Sequence, residues 1–151
     1  MKLDPTYIKN PTQIPIGYHR DNVMHSNAGE GFKLYPNGYF PEDRAIFENV
    51  MSFRNHGDGV LLHNSKNLGL EGGVFADNRR GIEVDKQADD VTVSNAVVIG
   101  FSDLYQIDVQ AGNQASHCPA GIPLVGIQLH SFLRYRDSKG YVLTNVTFEN
   151  F

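Results

Sequence analysis

The sequence predicts an all-β chain wound as a parallel β-helix of about five stacked coils. Two observations carry that expectation. First, three segments share one pattern, aromatic–x–Asn/Asp–x–x–x–Gly–apolar–x–apolar, with identical internal spacing. Second, glycine and asparagine punctuate short apolar–x–apolar runs throughout, and no window carries a convincing helical period. The nearest to one, residues 42–53, reads as strand because of its β-branched residues and its place in the repeat.

Each half of the motif has a physical meaning. Apolar–x–apolar is a short strand with one face turned inward. The preceding glycine is expected to permit a turn that a β-carbon would hinder. The Asn or Asp four residues earlier can bond local backbone in a turn. A unit this short cannot bury its own apolar face, whereas stacked units bury a continuous core.

Taken in order, residues 1–20 form a lead-in and residues 21–151 the repeats. The first match is His25, Asn27, Gly31, Phe32 and Leu34; the second is Phe53, Asn55, Gly59, Val60 and Leu62; the third is Phe75, Asp77, Gly81, Ile82 and Val84. The glycines fall 28 and 22 residues apart. A degenerate fourth unit offers Val91–Val93, Val97–Ile99 and Ile107–Val109. Residues at about 110–125 read as an insertion, since Gly112, Asn113, Pro119, Gly121 and Pro123 interrupt them. Gly126, Ile127 and Leu129 restore the pattern, and Val146–Asn150 opens a unit whose glycine would fall past residue 151, so the chain is expected to be a fragment of a longer β-helix.

Composition narrows the function classes. A net charge of −4 argues against a polyanion held by bulk electrostatics, so no nucleic-acid partner is expected. Cys118 is the only cysteine, which excludes an intrachain disulfide and leaves a zinc site only His and carboxylate ligands as partners. No apolar run reaches about 18 residues, so no membrane insertion by this segment is expected. Residues 1–16 lack a signal-peptide core, and the chain as given reads as soluble and unexported. Phosphate loop, dinucleotide fingerprint, nucleophile elbow and metal-protease helix are absent. The pair His117–Cys118 lies in the proline-rich insertion, with no helix to activate a thiol.

Candidate site residues follow from strand alternation. One outward column reads Lys33, Leu61, Glu83, Asp108, Gln128; the next reads Tyr35, His63, Asp85, Gln110, His130. Rungs lie about 4.8 Å apart. Glu83, Asp85 and Asp108 thus form an acidic cluster flanked by His63 and His130. Such carboxylates suit acid/base cleavage of a glycosidic bond or Ca²⁺ binding. The simplest meaning is a soluble face that blocks strand addition, with no catalytic residue assigned and no cofactor. Arg79 and Arg80 precede a strand and suit a carboxylate sugar, although a solvated turn explains them equally. Tyr35, Tyr39 and Phe40, with Pro36 and Pro41, form an aromatic loop that either meets sugar rings or folds back over the helix. His25, in the aromatic slot, is expected half-buried in the core, and His56 solvated in a turn. His19 and His117 fall in irregular stretches. Asn145–Thr147 is a glycosylation sequon, or else a rung of a turn ladder.

The chain also resembles a known family. The carriers are Asn22–Asn27 followed by Gly31–Pro36, then Phe53–Gly59, Val74–Ile82, Gly126–Leu129 and Asn145–Phe151. Over about residues 20–151 they look like the β-helix region shared by the cell-migration-inducing hyaluronan-binding protein, the transmembrane cell-surface hyaluronidase and the fibrocystin-like proteins. The resemblance implies a right-handed β-helix of the pectate-lyase type. It also implies a role in binding or depolymerising hyaluronan outside the cell or at its surface. This chain shows no G8-type domain, signal sequence or membrane anchor. The family's degradative residues lie upstream of the matching region, and none transfers. The expectation is therefore a non-catalytic module of a glycan-binding or glycan-degrading protein, with the rest of a parent chain packing on its ends. The alternatives are a polysaccharide hydrolase or lyase using the acidic face, and a structural spacer without ligand.

Overall fold

The computed structural model describes residues 10–86, 89–102, 125–130 and 139–151. Each of the first four coils lays one strand into each of three sheets, the fifth gives two strands among the described residues, and every strand pairs in parallel with its neighbours along the axis. Sheet A contains β1 (His19–Arg20), β4 (Ala45–Glu48), β7 (Lys66–Glu71), β10 (Asp89–Ser94) and β13 (Tyr141–Thr144). Sheet B contains β2 (Val23–His25), β5 (Met51–Phe53), β8 (Val74–Ala76), β11 (Val97–Ile99) and β14 (Thr147–Glu149). Sheet C contains β3 (Phe32–Leu34), β6 (Asp58–His63), β9 (Arg80–Asp85) and β12 (Val125–Leu129). The chain is a parallel β-helix. The aromatic half of the sequence repeat is the sheet B strand, and the Gly–apolar–x–apolar half is the sheet C strand. Sheet A lies in the stretches between, which the repeat pattern does not mark.

Alternation fills the interior. Phe47, Leu68, Leu70, Val91 and Val93 point in from sheet A, Phe75 and Val98 from sheet B, and Val60, Leu62, Ile82 and Val84 from sheet C; all are buried. Each such side chain contributes about 1.5–3 kcal/mol on removal from water. Packing is continuous along the axis because the registers are in step: Val60 pairs with Ile82, and Ile82 with Ile127. The stretch 42–53 holds β4 and β5, as expected.

The repeat glycines are needed for space rather than for an unusual backbone. None of Gly31, Gly59, Gly81 and Gly126 has positive φ. A β-carbon on Gly59 would stand 2.5 Å from the Gly81 carbonyl oxygen, and one on Gly81 would stand 2.5 Å from Val98 Cγ1 and 2.6 Å from the Gly126 oxygen. At this corner the chain bends so sharply that two consecutive positions, the glycine and the residue after it, face inward. The residue before the glycine is thereby displaced to the flank. Positive φ occurs instead at other corners, in columns made mostly of non-glycine residues. Asp21, Asn49, Asn95 and Asn145 line one such column, with Gly72 on the rung between Asn49 and Asn95, and the amides of its first four rungs bond the next coil, as in Asn49 N to the Glu71 oxygen (2.9 Å) and Asn95 N to the Thr144 oxygen (3.0 Å). Asn and Asp tolerate this left-handed conformation better than other residues with side chains. Asn145 therefore belongs to a turn ladder: its amide group donates to Asn95 Oδ1 at 2.8 Å.

An asparagine ladder secures the corner before sheet C. Asn27 Nδ2 and backbone N both donate to Asn55 Oδ1 (2.9 and 3.1 Å). Asn55 repeats the arrangement on Asn78 Oδ1 (2.9 and 3.0 Å), and Asn78 Nδ2 ends on the Ser52 carbonyl at 2.8 Å. This corrects the third repeat. Its sequence spacing selects Phe75 and Asp77, but β8 pairs with β5 so that Phe75 lies opposite Ser52 and Ala76 opposite Phe53. The rung belongs to Asn78, and the third coil is one residue shorter between its asparagine and Gly81. Asp77 instead receives Ser102 N (2.7 Å) and Ser102 Oγ (2.6 Å). His25 is a second correction: it stands outside the core, exposed, its ring stacked on Phe53 at 5.0 Å. His19 is ordered in β1 against Phe32 and Phe47, at 5.2 and 4.8 Å. Residues 103–124, which include Ile107–Val109 and most of the expected insertion, lie outside the described residues.

Two outcomes follow for stability. Gly81→Ala should cost about 1–3 kcal/mol through overpacking, whereas Gly29→Ala, with nothing within 4 Å of the added carbon, should be close to neutral in urea unfolding. Asn55→Ala strips partners from buried polar groups on both adjoining rungs, and should cost about 1–3 kcal/mol in the same measurement.

Candidate functional site on the outer face of sheet C

The corner glycines decide what this face carries. Asp58 and Arg80 each precede a corner glycine, lie opposite one another in register, and are displaced to the flank. Glu83 then projects outward from the middle of β9. Arg80 bridges them: Nε donates to Asp58 Oδ1 (2.5 Å), Nη1 to Glu83 Oε1 (3.0 Å) and to Gln128 Oε1 (2.9 Å), and Nη2 meets Glu83 Oε2 at 2.9 Å. Little of this network meets water. Asp58 is 1% exposed and Glu83 7%. Arg79 Nη2 approaches Asp58 from the outer side at 3.8 Å, and His130 Nε2 lies 3.5 Å from Glu83 Oε1.

Burial is the main cause that raises the Glu83 pKa, to about 7. A hydrogen bond with Asp58 and the Asp58 charge push the same way, Asp85 adds to them, and Arg80 opposes. Two carboxyl groups in hydrogen-bond contact out of water cannot both ionise freely, so the pair holds a proton near neutrality.

A second row lies beside the first. His63 Nδ1 contacts Asp85 Oδ2 at 3.1 Å, and the Tyr35 ring covers His63 at 4.8 Å. Asp85 Oδ1 accepts from Lys86 N at 2.6 Å. At the outer edge, Lys33 pairs with Glu30 (3.0 Å) and sits 5.0 Å from the Tyr35 ring centre. Burial works against ionisation of Glu30, yet its own backbone amide, Lys33 and Arg79 hold its carboxyl below the usual range. Lys33, Tyr35, Arg79 and Glu30 thus form one flank.

The structure brings together Glu83, Asp85, His63 and His130, and it alters the expected columns in one respect. Glu83 pairs directly with Gln128, so the rung assigned to Asp108 is occupied by Gln128; Asp108 and Gln110 lie outside the described residues. Sequence reasoning missed Asp58 as a partner of Glu83, because strand alternation alone places Asp58 with the inward-facing Val60. The available signal was the glycine that follows both Asp58 and Arg80. Tyr39 is also reassigned: its hydroxyl donates to the Ile14 carbonyl (2.8 Å) and accepts from Ile16 N (2.6 Å), binding the lead-in segment to the body. His56 is exposed, as expected.

Among the described residues, no group of three or more His, Cys, Asp or Glu side chains is arranged to hold a metal ion. At the carboxylates that come closest, Arg80 already occupies the position a cation would take. No helix among the described residues is long and apolar enough to cross a membrane. Comparison with family models, curated proteins and solved structures yields no match.

The sign of the pH dependence follows from Glu83. Its pKa rises from 4.5 to about 7 on folding, so its contribution to stability is fully present below pH 4.5 and is lost as pH rises through about 7. The difference corresponds to a loss on the order of 3 kcal/mol. Urea midpoints of the wild type should fall across that window, and Glu83→Gln should flatten the fall.

Proposed function

We propose that the chain is a non-catalytic carbohydrate-binding module whose contact surface is the outer face of sheet C, and that its ligand is an acidic glycan such as hyaluronan. One observation carries this reading. The exposed rim of the face presents Lys33, Arg79, His130 and Tyr35, with side-chain exposures of 43%, 42% and 39% for the first three and 57% for Tyr35 as a residue. Of the acidic groups between them, Asp58 and Glu83 are buried and satisfied by Arg80, and Asp85 is half-buried and paired with His63. An anionic polymer laid across the strands meets cationic donors and an aromatic face, while the carboxylates beneath are screened from it. His63 and Arg80 serve as supports, since both are engaged below the rim. The family resemblance points the same way and adds an extracellular or cell-surface location.

A second reading, polysaccharide cleavage, draws on Glu83, since a carboxylic acid with a pKa near 7 suits a proton donor. The arrangement of its neighbours favours binding instead. A glycosidase needs a second carboxylate about 5–9 Å away across the scissile bond. Asp58 instead touches Glu83 and is buried, and Asp85 is engaged with His63.

Calorimetric titration with hyaluronan octasaccharide should show binding that weakens as salt rises. The double variant Lys33→Ala/Arg79→Ala should lose about tenfold or more in affinity, equivalent to about 1.4 kcal/mol. Unchanged affinity would remove this face as the contact surface. Shortening of hyaluronan chains by the wild type, abolished in Glu83→Gln, would replace the binding reading with the hydrolase or lyase one.

A further inference from the structure

A groove of about 970 Å³ runs along the opposite corner, where chain leaving sheet C enters sheet A. It crosses successive coils. Phe40 and Pro41 form its first wall, Lys66 and Asn67 its middle, and Asp89 and Asp90 its far side. Lys66 lies opposite Asp89 in register. Asn67 and Asp90, next along the same two strands, share a left-handed backbone, with φ of 60° and 51°. A bulge at the same place in consecutive coils sets polar side chains one rung apart, about 4.8 Å.

The walls are formed in advance. Phe40 N donates to the Thr12 carbonyl (2.8 Å), Glu42 N to the Gln13 carbonyl (3.1 Å) and Lys66 N to the Tyr39 carbonyl (3.0 Å). Asn67 Nδ2 is held by the Pro41 and Glu42 carbonyls at 3.1 and 3.3 Å, which fixes the amide. The charge of Asp90 is paired. Asp90 is bound by Arg44 and Lys139, both at 2.9 Å, and Asp89 Oδ1 accepts Gly140 N at 2.8 Å. Arg44 and Lys139 hold the Asp90 carboxyl below its ordinary range, against the effect of burial.

We propose that this groove binds a neutral, hydroxyl-rich oligosaccharide, separately from the acidic-glycan surface on sheet C. A preformed polar cleft of this volume is large enough for sugar rings. The Phe40 ring, with Lys66 Nζ 6.0 Å from its centre, supplies an apolar surface beside a hydrogen-bond donor for the C–H side of a pyranose. Fixed amide and carboxylate oxygens supply hydrogen-bond acceptors, with Lys66 and Lys139 as donors. The lining carries Lys66 and Lys139 against three carboxylates, Glu42, Asp89 and Asp90, so it offers no net attraction to a polyanion. The inference does not depend on the sheet C reading.

The test is amide-resolved NMR titration of the whole chain with cellohexaose, maltohexaose and chitotetraose, alongside hyaluronan octasaccharide. At least one neutral oligosaccharide should shift the amides of Phe40, Asn67 and Asp90. Phe40→Leu, which keeps apolar bulk but removes the aromatic face, should weaken that binding about tenfold. Its spectrum and urea midpoint establish that it remains folded. Lys33→Ala/Arg79→Ala should leave the neutral-sugar shifts unchanged. The proposal is overturned if none of the three neutral probes shifts groove amides at millimolar concentration, or if folded Phe40→Leu binds as the wild type does. Loss of hyaluronan binding alone would count against sheet C and leave the groove standing.

Discussion

Every feature of this molecule depends on in-register parallel stacking at the corner glycines. Consecutive coils can approach to one rung only if nothing projects between them where the chain turns into sheet C. Gly31, Gly59, Gly81 and Gly126 meet that condition, and the carbonyl of each later glycine occupies the space a side chain would need on the one before. Once the coils are in step, the remaining contacts propagate along the axis. Asn27 and Asn55 each give two hydrogen bonds to the asparagine of the next coil, and the interior residues pack as continuous columns. A mismatch at one coil would be felt by both neighbours, which is how repeat structures couple local choices into one fold.

The same bend creates the chemistry of sheet C. By turning two consecutive positions inward, it pushes the preceding residue to the flank. Asp58 and Arg80 thereby reach Glu83, although alternation alone would place them on the other side. The outcome is an ionic network that is almost dry in the middle and charged at the rim. Desolvation governs its interior, which is why Glu83 holds a proton near neutrality. The rim groups stay in water, available to a ligand. The groove at the other corner follows a different rule. There the backbone bulges outward at Asn67 and Asp90, and charge pairing at Asp90 leaves a polar surface.

Much of this was legible in the sequence. The repeat located sheets B and C, the glycine column and the order of coils. Strand alternation placed Glu83 and Asp85 on one face with His63 and His130 beside them. Sheet A was legible only in part: residues 42–53 and Val91–Val93 read as strand, but its strands carry no repeated marker residue to identify them as one sheet. The third coil was read one residue out of step, since Phe75 and Asp77 reproduce the spacing of Phe53 and Asn55 while the hydrogen bonds align Ala76 and Asn78 with them. His25 occupies the same slot as Phe53 in both readings, but that slot faces outward.

By itself, then, the sequence determined that the chain stacks short parallel strands around an apolar interior, because periodic glycines, asparagines and alternating apolar residues permit little else. Tertiary structure decided which residues share a rung and which flank each faces. Gln128, in the rung expected for Asp108, lies beside Glu83, and Asp58 shares a proton-holding pair with it. The physical reason is that spacing along a chain counts residues, whereas register is set by hydrogen bonds between coils, and a corner that absorbs one residue more or fewer leaves the first pattern intact while shifting the second.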